Sequence, residues 1–160
     1  MEQFMKAYDE LSDPIFRHCW FRIGDRERAK DLMQDTFTKS WQYMVDGAKV
    51  LNIKSFLYRV ANNLIIDEYR KKKELSLDLL MNEGFDPGFD ERKQIEYTVD
   101  LRFTLEIVNK LDKKYREVIL MRYINELSPK EIADVIGESE NNVSVRIYRG
   151  LKQLKKILKK

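Results

Sequence analysis

Asn142, Val145, Arg149, Lys152 and Lys156 follow one another at intervals of three or four residues, flanked by Asn141, Ser144, Arg146 and Tyr148. On a helix such spacing gathers side chains on one side. Arginine can bind guanine bidentately, asparagine can bind adenine, and an apolar group such as Val145 can meet a thymine methyl. Lysines further along suit phosphates. The chemistry on offer is the reading of a duplex. A second stretch, "SFLYRVANNLIIDEYRKKK" from Ser55 to Lys73, offers something different. At about 100° per residue, Ile53, Phe56, Leu57, Val60 and Leu64 fall on one face. Ser55, Tyr58, Arg59, Asn62, Ile66, Tyr69 and Arg70 fall on the opposite one, where a solvated helix would carry Lys and Glu. Aromatic rings stack on unpaired bases at about 1–3 kcal/mol each, and cations hold the phosphates. An interface for another protein uses the same residue types. The Arg70–Lys73 run at the end of this stretch favours nucleic acid.

Catalytic chemistry finds little support. His18 is the only histidine, and Cys19, the only cysteine, stands beside it. Adjacent helical residues point about 100° apart, which makes a poor ligand pair. Both are expected to pack within the first helix. The chain shows no nucleophile–base pair, glycine-rich phosphate loop or metal-ligand spacing, so no catalytic residue, cofactor or metal is expected. Asp67-Glu68 is explained by charge balance along a helix and by solvation.

The elements that must carry these faces are helical. The chain has 160 residues, room for one to two small domains, and only three prolines and six glycines interrupt its helical period. An all-α protein is expected. No apolar run approaches the roughly 18 residues of a membrane span, so no membrane insertion is expected. The start, "MEQFMKAYDELSD", lacks the basic and apolar regions of a signal peptide. One cysteine allows no internal disulfide. A cytoplasmic protein is the expectation. Asp13-Pro14 reads as an N-cap followed by proline at the first helical position. Gly24-Asp25 reads as a helix end and the next N-cap. Ala29, Leu32, Met33, Thr36, Phe37, Ser40, Trp41 and Met44 form the buried stripe of the helix that follows, which "VDGAKVLN" (45–52) ends.

The sharpest local signal lies further on. "SPKEIADVIG" opens with a capping box, Ser128 at the N-cap and Glu131 three residues later, with Pro129 between them. Gly137 ends the short helix, and Ser139 can cap the next, whose inner ridge is Val143, Ile147, Leu151, Leu154 and Leu158. Ala133 is small enough for the two helices to cross closely. Helix, three-residue turn, helix with a basic outer face describes a helix-turn-helix. A plain αα-hairpin of a bundle shares the outline. A basic amphipathic helix for a membrane surface suits "LKQLKKILKK" alone, without the capped helix and turn before it.

Charge divides the chain. Residues 1–73 carry net +3, residues 74–100 net −6, residues 101–140 net −1, and the last twenty net +7 with no acid. The segment 74–94, with Gly84, Pro87 and Gly88 among its acids, reads as an acidic linker, with a short helix at its start. The expected organisation is two small helical domains, 1–73 and 95–160, joined by that linker, the C-terminal one a helix-turn-helix. Two basic regions flanking an acidic one suggest two contacts with a polyanion.

"GDRERAKDLMQDTFTKSW", "IKSFLYRVANNLIIDEYRKKK" and "LDKKYREVILMRYINELSPKEIADVIGESENNVSVRIYRGLKQL" together resemble the bacterial RNA polymerase sigma factors of the extracytoplasmic-function group of the sigma-70 family. The resemblance covers most of the chain, in family order. It implies a promoter-specificity subunit, not an enzyme, that binds core RNA polymerase, recognises promoter DNA and helps separate its strands. Asp31, Gln34, Asp35, Phe37 and Trp41 match the motif that grips the coiled coil of the polymerase β′ subunit, and the β flap is another implied contact on the polymerase. Phe37 and Trp41 belong equally to the apolar stripe, where core packing is the other reading. Tyr58, Arg59, Asn62 and Asn63 match the helix that meets the single-stranded minus-ten element, with Tyr69 and Arg70 on the same face. Asn52 is the candidate in the loop that pockets a flipped base. Asn142, Ser144, Val145, Arg146, Tyr148 and Arg149 match the segment that enters the minus-thirty-five major groove, with Lys152 beyond them. An anti-sigma factor is a partner the family implies and no residue here demonstrates.

Glu138 stands where the family commonly has an apolar residue, and Ser144 and Val145 where a basic and a small polar residue are common. These departures bear on the promoter sequence rather than the fold. The alternative is a stand-alone helix-turn-helix DNA-binding transcriptional regulator. It predicts tight specific DNA binding without polymerase, whereas a sigma factor of this kind is expected to bind promoter DNA poorly when free.

Overall fold

The computed structural model describes residues 1–80 and 106–159, with side chains described to Glu74 and from Glu106. Its helices include α1 (Glu2–Ile23), α2 (Arg26–Val45), α3 (Ile53–Leu80), α4 (Lys113–Tyr123), α5 (Pro129–Ile136) and α6 (Glu140–Leu158), and residues 106–109 are also helical. No strand occurs among the described residues. The chain divides into two compact units, Met1–Gln94 and Ile95–Lys160. The acidic stretch from residue 81 onward lies outside the described residues; what is described of the expected linker, up to Leu80, continues α3.

In the first unit α1, α2 and α3 pack against one another around Ile15, Cys19, Ala29, Leu32, Leu57, Ala61 and Ile65, all buried. The Asp13-Pro14 boundary expected from sequence is not a boundary. α1 runs straight through Pro14. Proline inside a helix removes one hydrogen bond and costs about 3 kcal/mol. Burial on both sides of it offsets that cost: Phe4 and Ala7 before, Ile15, Cys19 and Phe21 after. Gly24 closes α1 in the left-handed conformation, φ 77°, which a residue with a Cβ adopts reluctantly. Asp25 opens α2 by accepting the Arg28 N–H at 3.2 Å. Two hydroxyls of α2 lie fully inside: Thr36 donates to the Leu32 carbonyl at 2.7 Å and Ser40 to that of Thr36 at 2.6 Å. Bonding back to their own helix lets α2 bury them without leaving a donor unpaired.

The second unit is assembled by its caps. Ser128 accepts the Glu131 N–H while the Glu131 carboxylate accepts the Ser128 N–H, each at 3.1 Å. Gly137 ends α5 at φ 73°, and Ser139 accepts the Asn142 N–H at 3.1 Å to start α6. Leu111, Val118, Met121, Leu127, Ile132 and Val143 fill the core between α4, α5 and α6. Val143 and Ile147 are buried as the ridge requires, but Leu158 is exposed, because the ridge outruns the helices that cover it. The close approach that matters is at Gly150, on α6. A Cβ there would stand 3.0 Å from Ile119 Cγ1 and 3.2 Å from Tyr115 Cβ, both on α4.

Candidate functional site

α2 presents Asp31, Gln34, Asp35 and Thr38 to solvent, opposite its buried stripe. Asp31 keeps two-thirds of its side chain exposed and lies 3.9 Å from Arg28, one turn earlier. Phe37 is a correction to its reading as a surface grip. It is buried, edge-on to Phe4 at 6.0 Å and to Tyr8 at 4.8 Å, so it supports the polar face from beneath. Trp41 is half-buried, its ring 5.1 Å from that of Phe4.

The face of α3 is rotated from the one hydropathy drew. Tyr58 is 0% exposed, its ring edge-on to that of His18 at 5.2 Å. Ser55 and Glu68 are also buried, while Phe56 and Leu64 are only half so. Because α3 packs against both α1 and α2, its buried arc is wide and takes in residues that sequence spacing put outside. Arg59, Asn63, Ile66 and Arg70 remain exposed, and Asn62 is half-buried. Tyr69 is exposed at its ring and donates its hydroxyl proton to the Arg22 carbonyl, tying α3 to the end of α1. Asn52 is exposed, and its Oδ1 accepts the Ser55 N–H at 3.0 Å, so its side chain caps α3.

A groove between α2 and α3 supplies what Tyr58 does not. Lys39, Tyr43, Asn63, Ile66, Asp67 and Arg70 line it. Tyr43 is 52% exposed and stands edge-on to Phe56 at 6.1 Å. Its spacing of four from Lys39 placed both on the outer side of α2, which is the signal that could have found it.

One ionic contact between α2 and α3 was not legible either. Arg28 donates from Nε to Glu68 Oε1 at 2.7 Å and from Nη2 to Oε2 at 2.6 Å, a bidentate clamp between α2 and α3. Only 11% of the Glu68 side chain is exposed, so solvation does not account for it. The hydrogen bond from Arg28, aided by the charges of Arg28, Lys72 and Lys71, holds the Glu68 carboxyl below the usual carboxylate range against the opposing effect of burial. The same hydrogen bond raises Arg28. Asp67, by contrast, is exposed and 4.0 Å from Arg70. Cys19 is fully buried, and desolvation pushes its thiol up to about 12, with Arg22 pulling the other way. Among the described residues, no cluster of His, Cys, Asp or Glu could hold a metal ion.

On α6, Asn142, Ser144, Val145, Tyr148, Arg149 and Lys152 are all exposed, on the side away from Val143, Ile147 and Gly150. Arg146 differs: it is half-buried and paired with Glu138. This capped two-helix unit can lay one polar, basic helix face into a groove about the width of a helix.

Residues 7–74 match the family model described as Sigma-70 region 2, and residues 104–154 match that of Sigma-70, region 4. The chain is 30% identical to the ECF RNA polymerase sigma factor SigW of Bacillus subtilis, over 99% of this chain and 90% of that protein. It is 31% identical to RNA polymerase sigma factor SigZ of the same organism, over 94% of this chain and 84% of the other. Among solved structures it is similar in fold to the sigma factor RpoE in complex with the anti-sigma factor NepR from Bartonella quintana. That match has TM-score 0.75 and 19% identity, and covers 99% of this chain and 98% of the other. CnrH, solved in complex with the cytosolic domain of CnrY, matches with TM-score 0.69 and 23% identity over 98% and 87% of the two chains. Among the described residues no helix is long and apolar enough to cross a membrane.

Proposed function

Because the chain belongs to the sigma-70 family of RNA polymerase sigma factors, in its extracytoplasmic-function group, we propose a division of labour among its surfaces. The protein is an alternative sigma factor: it binds core RNA polymerase, recognises promoter DNA and assists strand opening, and it is not a stand-alone regulator. Sigma factors are non-enzymatic initiation factors, and this chain carries no catalysis of its own. It works beside polymerase in the cytoplasm. An anti-sigma factor is a further partner proposed for it, as the solved relative RpoE is in complex with the anti-sigma factor NepR.

The domain of residues 1–73 grips polymerase through Asp31, Gln34 and Asp35, with Trp41 at the edge of the contact and Phe37 holding the face in shape. Its minus-ten surface is Arg59, Asn62, Asn63, Tyr69 and Arg70, with Asn52 at the loop. Tyr43 is the exposed ring on which an unpaired base stacks. Tyr58 positions this surface from inside rather than touching DNA. The segment 74–94 links it to residues 95–160, where Asn142, Ser144, Val145, Tyr148, Arg149 and Lys152 read the minus-thirty-five duplex. One observation carries the reading: an exposed acidic and amide face on α2 stands in the same chain as a capped helix-turn-helix with an exposed polar and basic face on its second helix.

The test is co-elution of the purified chain with core RNA polymerase of its own organism, beside a Gln34→Ala/Asp35→Lys double variant whose melting is unchanged. Wild-type co-elution that the variant loses is the expected result. Equal co-elution of both would overturn the assignment of the α2 face.

A further inference from the structure

Asn142, Arg146 and Arg149 share one stripe of α6, four and then three residues apart. Asn142 and Arg149 are exposed on it, but the middle cation is held. Arg146 Nη2 donates to both carboxylate oxygens of Glu138, at 2.6 and 2.5 Å. The two side chains are 31% and 32% exposed. Glu138 stands in the turn between α5 and α6, whose geometry is made by other residues: Gly137 ends one helix and the Ser139 hydroxyl starts the next. The turn therefore does not need the Glu138 carboxylate. Its hydrogen bonds go to Arg146.

We propose that Glu138 is a specificity-determining residue of duplex reading: it withholds the Arg146 charge from the phosphate backbone. This rests on α6 being the duplex-reading helix. A cation adds sequence-independent affinity by displacing counterions condensed on phosphates. Arg146, already neutralised by a carboxylate at 2.5 Å, displaces none. Phosphate contacts fix position but carry no sequence information. With Arg146 withheld, less of the affinity is available to every sequence, and selection rests on the base-edge groups Asn142, Ser144, Val145 and Arg149.

The experiment titrates the full chain into a fluorescent mixed-sequence DNA duplex by anisotropy, at salt low enough for a weak binder to register. The salt dependence of binding counts the phosphates neutralised. Glu138→Gln steepens the slope by about 0.9 and tightens binding about tenfold near 50 mM salt. Glu138→Gln combined with Arg146→Ala, which removes both charges of the pair, leaves the slope at the wild-type value. Lys152→Ala, which removes an exposed lysine of the same helix suited to phosphate, makes the slope shallower by about 0.9. A Glu138→Gln protein of unaltered melting and unaltered slope overturns the inference, as does a steepening that persists without Arg146. If Lys152→Ala acts and Glu138→Gln does not, the inference fails alone. If neither acts, α6 is not the duplex-reading helix and both readings fall.

Discussion

Replacing Tyr58 separates a ring that reads DNA from a ring that builds the helix that does. The side chain is 0% exposed, stacked edge-on against His18 at 5.2 Å, and its neighbours Leu57 and Ala61 are also 0% exposed. Truncating a buried aromatic to alanine costs about 3–5 kcal/mol in transfer and cavity terms. The edge-to-face contact is about 0.5–1.5 kcal/mol of that sum. Against a domain stability of about 5–15 kcal/mol, Tyr58→Ala removes a large fraction. Tyr58→Phe keeps the ring, its burial and its edge-on contact with His18. The assay is urea unfolding followed by tryptophan fluorescence. Both tryptophans, Trp20 and Trp41, lie in this unit, so the signal reports on it alone. With a slope of about 2 kcal/mol per molar urea, Tyr58→Ala shifts the midpoint down by about 2 M, and Tyr58→Phe moves it far less. Promoter opening by the polymerase complex, measured where each variant is folded, stays near wild type for Tyr58→Phe. A Tyr58→Ala protein with an unshifted midpoint that no longer opens promoters would refute the burial argument and return the ring to the DNA face.

Glu68→Gln breaks the clamp to Arg28 and costs about 2 kcal/mol at pH 7, the scale of hydrogen bonds to charged groups. Because the folded Glu68 carboxyl lies below its unfolded value of about 4.5, its contribution is fully present above that pH. It fades as pH falls through the lower folded value, so the wild-type advantage over Glu68→Gln in urea midpoint shrinks below about pH 4.5. An advantage unchanged down to pH 3 would mean the clamp contributes nothing electrostatic. In the second unit, Gly150→Ala gains about 1 kcal/mol of helix propensity but drives a methyl to 3.0 Å from Ile119, an overpacking cost of about 1–3 kcal/mol. Circular dichroism melting should show a net loss near 1 kcal/mol, part of it recovered when Ile119→Ala is added, measured against Ile119→Ala alone. A raised melting temperature in Gly150→Ala would show that α4 and α6 have room to part.

The local grammar of this chain was legible in its order of residues. Ser128 with Glu131, Gly137, Ser139, Gly24 and Asp25 act within one turn of themselves, so sequence alone located their caps. The buried stripe of α2 from Ala29 to Ser40 followed from period, since one side of α2 meets its neighbours. The exposed face of α6 followed for the same reason. What depended on neighbours was not legible. A tyrosine suits either an apolar interior or a wet surface, and only the packing of α1 and α2 on both flanks of α3 put Tyr58 inside. Pro14 looked like a helix start because sequence records the lost hydrogen bond but not the burial on each side of it. Glu68 finds Arg28 across 40 residues, and Glu138 finds Arg146 across a turn. Hydropathy and spacing report what a residue can do beside its sequence neighbours. The partner of a charge and the depth of an aromatic ring are set by which helices pack together.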